Sequence, residues 1–273
     1  MPDLASAYYP PPLDRLLRLG KEPARRRLWP DYRLLGLEPR HVPALARMAA
    51  DPALHTAEER APEVWAPVHA WRALAQLEAA AAPAVEPLLA VLEREADNPW
   101  VFDEIPSVLG MIGAPALPGA TLLLFDDTRS PHLRIAGSRV IAEVAQQYPE
   151  RRDEAVAVLA KQLEEWHGQD AVLNASLIAD LVELGATDAA PVMEAAYAAG
   201  AVDLSIYGDW EDVQVELGLL EERLTPPAPG SYFDEHAAHA PQPARRPRAD
   251  APDAARTRRK AAKQSRKRNR KKK

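Results

Sequence analysis

The sequence contains no cysteine among its 273 residues. This absence excludes disulfide bonds, thiolate metal sites and cysteine nucleophiles, and it removes a common mark of an oxidising compartment. No apolar run approaches the roughly 20 residues that cross a bilayer. The start of the chain also lacks the basic region and apolar core of a signal peptide. We therefore expect a cytoplasmic protein without a membrane partner.

Aromatic residues are scarce at 6% of the chain, although hydrophobic residues make up 47%. Alanine and leucine supply most of that apolar content and favour helices, whereas a β-sandwich would use Val, Ile, Thr and aromatic residues. We predict an all-α fold. Its body of roughly 220 residues is long enough to bury a sizeable core.

Catalytic signatures are also missing. The sequence has no Gly-x-Ser-x-Gly elbow, no Gly-rich phosphate loop and no His-Glu-x-x-His helix. His236 and His239 have a spacing that suits a metal ion, but their segment offers no sulfur ligand and no apolar periodicity. We predict no catalytic residue, no cofactor and no metal site, and hence a protein that is not an enzyme.

A break in the middle of the chain defines a recurring unit. The stretch from Val108 to Leu124 reads as the end of one helix, an interruption and the start of the next. Gly113 stands where the chain must leave right-handed backbone conformation, and Pro115 suits the first turn of a new helix.

Versions of this unit predict a series of helix pairs. The first helices contain Val42–Leu45, Val85–Leu89, Leu117–Ala120, Ala155–Leu159 and Ala190–Met193. The second helices are Trp65–Ala80, Pro99–Gly113, Pro131–Tyr148, Val172–Leu184 and Asp209–Leu217. Matching positions recur every 31 to 44 residues, which favours two-helix repeats over a coiled coil with its seven-residue pattern.

These residues also carry a family resemblance. The stretch from Leu109 to Pro118, Leu-Gly-Met-Ile-Gly-Ala-Pro-Ala-Leu-Pro, resembles the HEAT-like repeat named after phycobilisome lyases, and Leu181–Pro191 matches it again. Over about residues 40–220 the chain resembles bacterial HEAT-repeat proteins of unassigned function. The resemblance implies an α-solenoid of about five helix pairs. It leaves function open, since such repeats serve lyases, scaffolds, nucleic-acid enzymes and regulators.

Proline and charge divide the chain into four segments. Residues 1–39 form an irregular N-terminal cap with short helices at Leu13–Leu19 and after Asp31, although a proline-rich docking peptide is the alternative. Residues 40–224 form the HEAT-like repeats, residues 225–240 a linker, and residues 241–273 a disordered basic tail.

The tail gives the strongest functional signal. Residues 241–273 carry 15 Lys+Arg and 2 acids, a charge of +13, so the remaining 240 residues hold 19 Lys+Arg and 38 acids, a charge of −19. Phosphate backbones attract such a chain without sequence selection. The alternatives are a tail that contacts the acidic body or an acidic protein, or one that only aids solubility. The candidate nucleic-acid-binding residues are Arg256, Arg258, Arg259, Lys260, Lys263, Arg266, Lys267, Arg268 and Arg270.

A second candidate surface is acidic. Asp209, Glu211 and Asp212 surround Trp210 at the start of the last predicted helix. Tryptophan is favoured at binding hot spots, so we predict a protein-binding patch here. The alternative, and the more frequent case for a tryptophan, is that Trp210 closes the core of the last repeat. The carboxylates could hold a divalent cation, but they lack the Gly-punctuated alternation of a calcium loop and favour a solvated face.

Other tryptophans are candidates for a groove. Trp65, Trp71, Trp100 and Trp166 would line it. On one helix, Trp65 and Trp71 would lie about 120° apart, and we predict Trp71 in the core. His69 is expected to be a polar neighbour in that groove.

We predict a non-catalytic scaffold or adaptor whose repeats bind a protein partner. The alternative is a nucleic-acid- or ribosome-associated protein that binds through its tail. An enzyme on a HEAT-like fold, either a bilin lyase or a DNA glycosylase, is the third reading. The glycosylase needs a basic concave face, which a body charge of −19 disfavours.

Overall fold

A computed structural model describes residues 9–21, 25–58, 60–95 and 98–232. The chain divides into two units, residues 1–234 and 235–273, and all described residues belong to the first. These residues form helices and turns without a β-strand. None of the described helices is both long and apolar enough to span a bilayer. The basic tail lies outside the described residues.

The α-helices alternate with short 3₁₀ turns. Their bounds are α1 Val42–Ala49, α2 Pro52–His55, α3 Ala66–Gln76, α4 Val85–Arg94, α5 Pro99–Ile112, α6 Leu117–Phe125, α7 Pro131–Gln147, α8 Arg152–Leu163, α9 Ala171–Glu183, α10 Ala190–Ala198, α11 Leu204–Tyr207 and α12 Trp210–Glu216. Side chains at the residues before α5, α7, α9 and α12 accept backbone N–H bonds and cap these helices.

The predicted all-helical fold is confirmed for the described residues, and the ten predicted helices are present. One boundary differs clearly, and two of the observed helices, α2 and α11, are not among the predicted ten. The helix predicted over Trp65–Ala80 ends at Gln76, because Glu78 adopts a left-handed conformation with φ 51° and a 3₁₀ segment follows. The link from Asp51 to Pro62 contains the unpredicted helix α2, which the Asp51 side chain caps.

The helices pack in two rows. Helices α1, α4, α6, α8 and α10 contact one another in that order, and α3, α5, α7, α9 and α11 do the same in the second row. Between the rows, α1 packs on α3, α4 on α5, α6 on α7 and α8 on α9. The buried apolar side chains form one continuous core between the rows.

Two glycines set the geometry at the centre. Gly113 ends α5 with φ 91°, as its position in the sequence predicts, and the 3₁₀ turn that contains Pro115 follows at once. At Gly137 a Cβ atom would lie 2.9 Å from the backbone oxygen of Ala120 and 3.0 Å from the backbone nitrogen of Leu124. Glycine therefore allows the close approach of α6 and α7.

The N-terminal segment packs against α3. Its 3₁₀ turns are Leu13–Arg18, Arg26–Leu28 and Tyr32–Leu35, and the predicted cap at Asp31 is confirmed by a 3.1 Å bond from the Arg33 backbone N–H. The side chains of Leu16 and Tyr32 are fully buried. This segment thus covers the start of the second row.

Candidate functional site

Three of the four candidate tryptophans line one pocket. The tryptophan pocket has a volume of about 210 Å³, and its walls include Trp65, Trp71, Trp100, His55, Pro67 and Val68. As predicted, Trp71 belongs to the core and is 1% exposed, whereas Trp65 is half-buried. Trp166 lies elsewhere and stacks on His167 with ring centroids 3.4 Å apart. Its predicted place in the groove is wrong, because it lies in the turn between α8 and α9 and does not line the pocket.

A buried ion pair lies behind this pocket. Arg72 donates from Nε to Glu104 Oε2 at 2.8 Å, and Trp71 Nε1 donates to the same oxygen at 3.0 Å. The guanidinium also lies 5.0 Å from the centre of the Trp29 ring and 5.7 Å from that of Trp100. Its Nη1 is buried and has no hydrogen-bond partner among the described residues. The pair fixes the orientation of Trp71 and joins α3 to α5.

His69 is a buried junction rather than a groove residue, so that prediction is wrong. Its Nδ1 lies 2.8 Å from the hydroxyl of Tyr32, and its Nε2 lies 2.8 Å from the backbone oxygen of Gly20. Burial lowers the pKa of His69 to about 4, and the nearby charge of Arg72 acts in the same direction. The neutral ring therefore holds the N-terminal segment on α3. Tyr32 and Gly20 lie 37 and 49 residues from His69 in the sequence, so no local sequence pattern predicts these contacts.

A chain of polar contacts continues along the second row. Ser107 of α5 donates to Glu143 of α7 at 2.9 Å, and Arg139 of α7 contacts Asp180 and Glu183 of α9 at 3.1 and 2.8 Å. Burial raises the pKa of Asp180 to about 6, although Arg139 opposes that shift. These contacts fix the register of neighbouring helices.

The helix α6 combines an uncharged sequence with exposed apolar side chains. Its sequence, Leu117–Phe125, contains no charged residue, yet it lies in the first row between the charged helices α4 and α8. Leu122 is 73% exposed and Phe125 is 42% exposed. A helix that is apolar on all sides is expected to be buried or to bind a partner. We did not predict a binding surface on this helix from the sequence, although its run of Leu122, Leu123, Leu124 and Phe125 was the available signal.

Grooves flank α6 on both sides, and Leu122 lines both. The groove toward α4 has a volume of about 310 Å³ and includes Leu89, Glu86, Glu93, Asp126 and Arg129. The groove toward α8 has a volume of about 610 Å³ and includes Leu117, Pro118, Arg151 and Glu154. We call Leu122 with these two grooves the α6 surface.

The rims of the α6 surface carry more negative than positive charge. Arg129 forms ion pairs with Glu93 at 3.1 Å and with Asp126 at 3.0 Å, and Arg151 pairs with Glu154 at 3.1 Å. Glu86 lies on the same rim without an ion pair among the described residues. The α6 surface therefore combines an apolar centre with a net negative edge.

The structure brings the predicted acidic patch together around an internal cation. Arg223 forms two hydrogen bonds to Asp209, at 2.8 and 2.7 Å, and also contacts Asp212. Glu211 accepts bonds from the backbone nitrogens of Leu224 and Thr225 at 2.9 and 3.0 Å. These bonds fold the chain after α12 back onto the helix. The protein-binding role of these carboxylates stays a prediction.

Trp210 in the same patch is half-buried. It packs against the core and lies 5.9 Å from the ring centre of Tyr197. The packing confirms that Trp210 helps to close the core at this end, which was the alternative reading of the patch. A role in partner binding would use only the part of the ring that remains exposed.

The remaining candidates lie outside the described residues. They are the basic positions Arg256, Arg258, Arg259, Lys260, Lys263, Arg266, Lys267, Arg268 and Arg270, together with His236 and His239. Within the described ranges, no group of three or more His, Asp or Glu side chains is arranged to hold a metal ion.

Comparisons with protein families, with curated proteins and with solved structures find no match for this chain.

Proposed function

We propose that this protein is a non-catalytic HEAT-like α-solenoid scaffold that binds a protein partner on its α6 surface. The two rows of helices and the order of their contacts support a solenoid of stacked pairs. In such a stack each pair contacts only its neighbours, and the outer helices present a continuous surface to partners. The predicted binding patch around Trp210 remains a further part of this proposal.

The exposure of Leu122 carries the proposal. A leucine that is 73% exposed on a helix without charge leaves apolar area in water on a protein that is otherwise rich in surface charge. Burying that area against a partner contributes roughly 25 cal/mol per Å² to the free energy of binding. The grooves on either side would receive the side chains that flank the contact.

The charge of the rim indicates the partner's chemistry. The first 240 residues carry −19, and Glu86, Glu93 and Asp126 outnumber Arg129 at the groove toward α4. We infer a basic amphipathic helix with apolar anchors as the occupant. Opposite charge at the rim would raise its association rate, and the apolar centre would supply affinity.

Two designed peptides test this proposal. Both are amphipathic helices with the same leucine face, and one carries lysine where the other carries glutamate. We expect the lysine peptide to bind in fluorescence anisotropy and the glutamate peptide to bind at least about tenfold more weakly. The substitution Leu122→Ser should weaken the binding of the lysine peptide by about tenfold or more, as at a hot spot.

The substitution Leu34→Ser is the matched control. Leu34 is 83% exposed but lies in the N-terminal segment, away from the α6 surface. Equal loss of binding in both variants, or no loss in Leu122→Ser, would contradict the α6 surface as the binding site.

Nucleic-acid association is the second candidate function, favoured by the charge of +13 on residues 241–273. If roughly half of the 15 cations meet phosphates, the slope of log K against log salt would be about −5 to −6. The test compares the full chain with residues 1–240 on mixed RNA and DNA across a salt series. Binding that survives removal of the tail would contradict this candidate.

A further inference from the structure

The tryptophan pocket is a concave site that the proposed partner surface does not use. It lies between α2, the 3₁₀ turn Pro62–Trp65 and the start of α5, whereas the α6 surface belongs to the first row.

The walls of the pocket are held in place. The rings of Trp65 and Trp100 meet edge to face, with centroids 5.0 Å apart and planes at 81°. Trp71 is anchored through its Nε1 bond to Glu104, and His55 through a 2.8 Å contact of Nε2 with the backbone oxygen of Ala49. Two perpendicular aromatic planes form a corner, and a third ring entering it would stack on one plane and meet the other edge-on.

Nearby cations decide the charge of the ligand. The Nζ of Lys21 lies 5.3 Å from the centre of the Trp65 ring and 5.8 Å from that of Trp100, and the guanidinium of Arg72 lies 5.7 Å from that of Trp100. Neither cation lines the pocket, but both already interact with its tryptophans. Glu104 balances the charge of Arg72, so Lys21 is the cation that a positively charged ligand would meet here. The described lining holds no carboxylate that would offset the charge of Lys21.

The volume of the pocket suits one small ring system. An apolar cavity of about 150 Å³ holds benzene, and this pocket has about 210 Å³. Sites for larger small molecules usually have volumes of about 300–1,000 Å³. We propose that the tryptophan pocket binds a single neutral planar aromatic ring, between phenol and indole in size. The ring belongs either to a small molecule or to an aromatic side chain of a polypeptide.

Para-cresol is the probe for the test, because it is the side chain of tyrosine as a free molecule. The full chain, labelled with ¹⁵N at tryptophan, is titrated while its six indole N–H resonances are followed by NMR. We expect shifts for Trp65, Trp71 and Trp100, no shift for Trp166 and Trp210, and a Kd in the range of about 1–10 mM. The saturated analogue 4-methylcyclohexanol should bind at least about threefold more weakly, because it cannot stack.

Two variants separate binding in the pocket from general affinity for tryptophan. Val64→Phe places a ring of the protein itself in the pocket and should abolish the shifts of Trp65 and Trp100. Trp166→Phe removes a half-buried tryptophan outside the pocket and should leave the titration unchanged. Shifts that persist in Val64→Phe, equal binding of the saturated analogue, or no shift with para-cresol would each overturn the proposal.

A pair of peptides distinguishes the two sources of the ring. Acetyl-Gly-Gly-Tyr-Gly-Gly-amide is compared with the same peptide that carries leucine in place of tyrosine. Shifts with the tyrosine peptide alone would support the proposal with a polypeptide as the source. Shifts with free para-cresol but not with the tyrosine peptide would support it with a small molecule as the source.

Discussion

Arg223 and Asp209 form a bidentate ion pair in which Nη1 donates to Oδ1 at 2.8 Å and Nη2 donates to Oδ2 at 2.7 Å. The same aspartate caps α12, so one carboxylate fixes both the start of the helix and the chain that follows it. Arg223 lowers the pKa of Asp209 against the effect of burial. A partner that uses Asp209 would first have to displace this internal cation.

Loss of Arg223 should therefore release the segment after α12. We expect Arg223→Ala to increase hydrogen exchange at the amides of Thr225 and Ala228, which donate to Glu211 and Asp209. Arg223→Lys should restore only part of the protection, because an ammonium group cannot form the paired bonds. The exposed Arg33→Ala is the control, and equal exchange in both alanine variants would contradict this role.

The buried ion pair of Arg72 and Glu104, which also holds Trp71 in the pocket wall, should contribute to the stability of the fold. Glu104→Gln leaves the guanidinium without its counter-charge, and we expect a loss of about 3–5 kcal/mol in the free energy of unfolding. The double variant Arg72→Met with Glu104→Leu should be more stable than either of its single variants, because it leaves no lone buried charge. Urea unfolding of Glu104→Gln and of the four proteins of the Arg72→Met, Glu104→Leu cycle measures both effects. Additive losses would show that the two residues do not act as a pair.

His69 should make the fold less stable in acid. An unfolded chain binds a proton at this residue below about pH 6.5, whereas the folded chain does so only near a pKa of about 4. The stability that neutral His69 contributes is thus present above pH 6.5 and is lost as the pH falls toward 4. The difference is about 3 kcal/mol. We expect the free energy of unfolding of His69→Gln to lack this contribution to the change between pH 7 and pH 4.5. The exposed His167→Gln should behave as the wild type.

Asp180 should act in the opposite direction over the same range. Its pKa is about 6 in the folded chain and 3.8 when unperturbed, so the stability linked to it is full below pH 3.8 and is lost as the pH rises through 6. The contributions of His69 and Asp180 therefore oppose each other in the wild type. We expect stability to rise more steeply between pH 4 and 6 in Asp180→Asn than in the wild type. An unchanged pH profile in this variant would contradict the raised pKa.

The close contact at Gly137 should tolerate no side chain. Gly137→Ala would place a methyl group against the backbone of α6, and we expect the free energy of unfolding to fall by about 1–3 kcal/mol. Gly168→Ala is the matched control, since a Cβ atom there meets nothing within 4 Å. Thermal unfolding of both variants provides the comparison, and equal midpoints would show that α6 and α7 can separate at no cost.

Local sequence signals predicted the helices well because the physical causes are local. Proline at the first turn, a capping side chain and a glycine with positive φ act within a few residues, as at Pro115, Asp31 and Gly113. The same logic missed the end of α3, because Glu78 adopts a left-handed conformation that its residue type does not favour. The repeat arrangement and its family resemblance remain predictions.

The sites required the tertiary structure. The partners Arg72 and Glu104 are 32 residues apart, and His69 meets a backbone oxygen 49 residues away, so the rotation of each helix about its axis decides these contacts. Composition by itself determined that the chain would be helical, with an acidic body and a basic tail. Only packing decided that Leu122 faces outward, that three tryptophans share a pocket and that Arg223 pairs with the acidic patch. Those outcomes depend on which helix faces the neighbouring helices leave uncovered, and no local stretch of sequence specifies those faces.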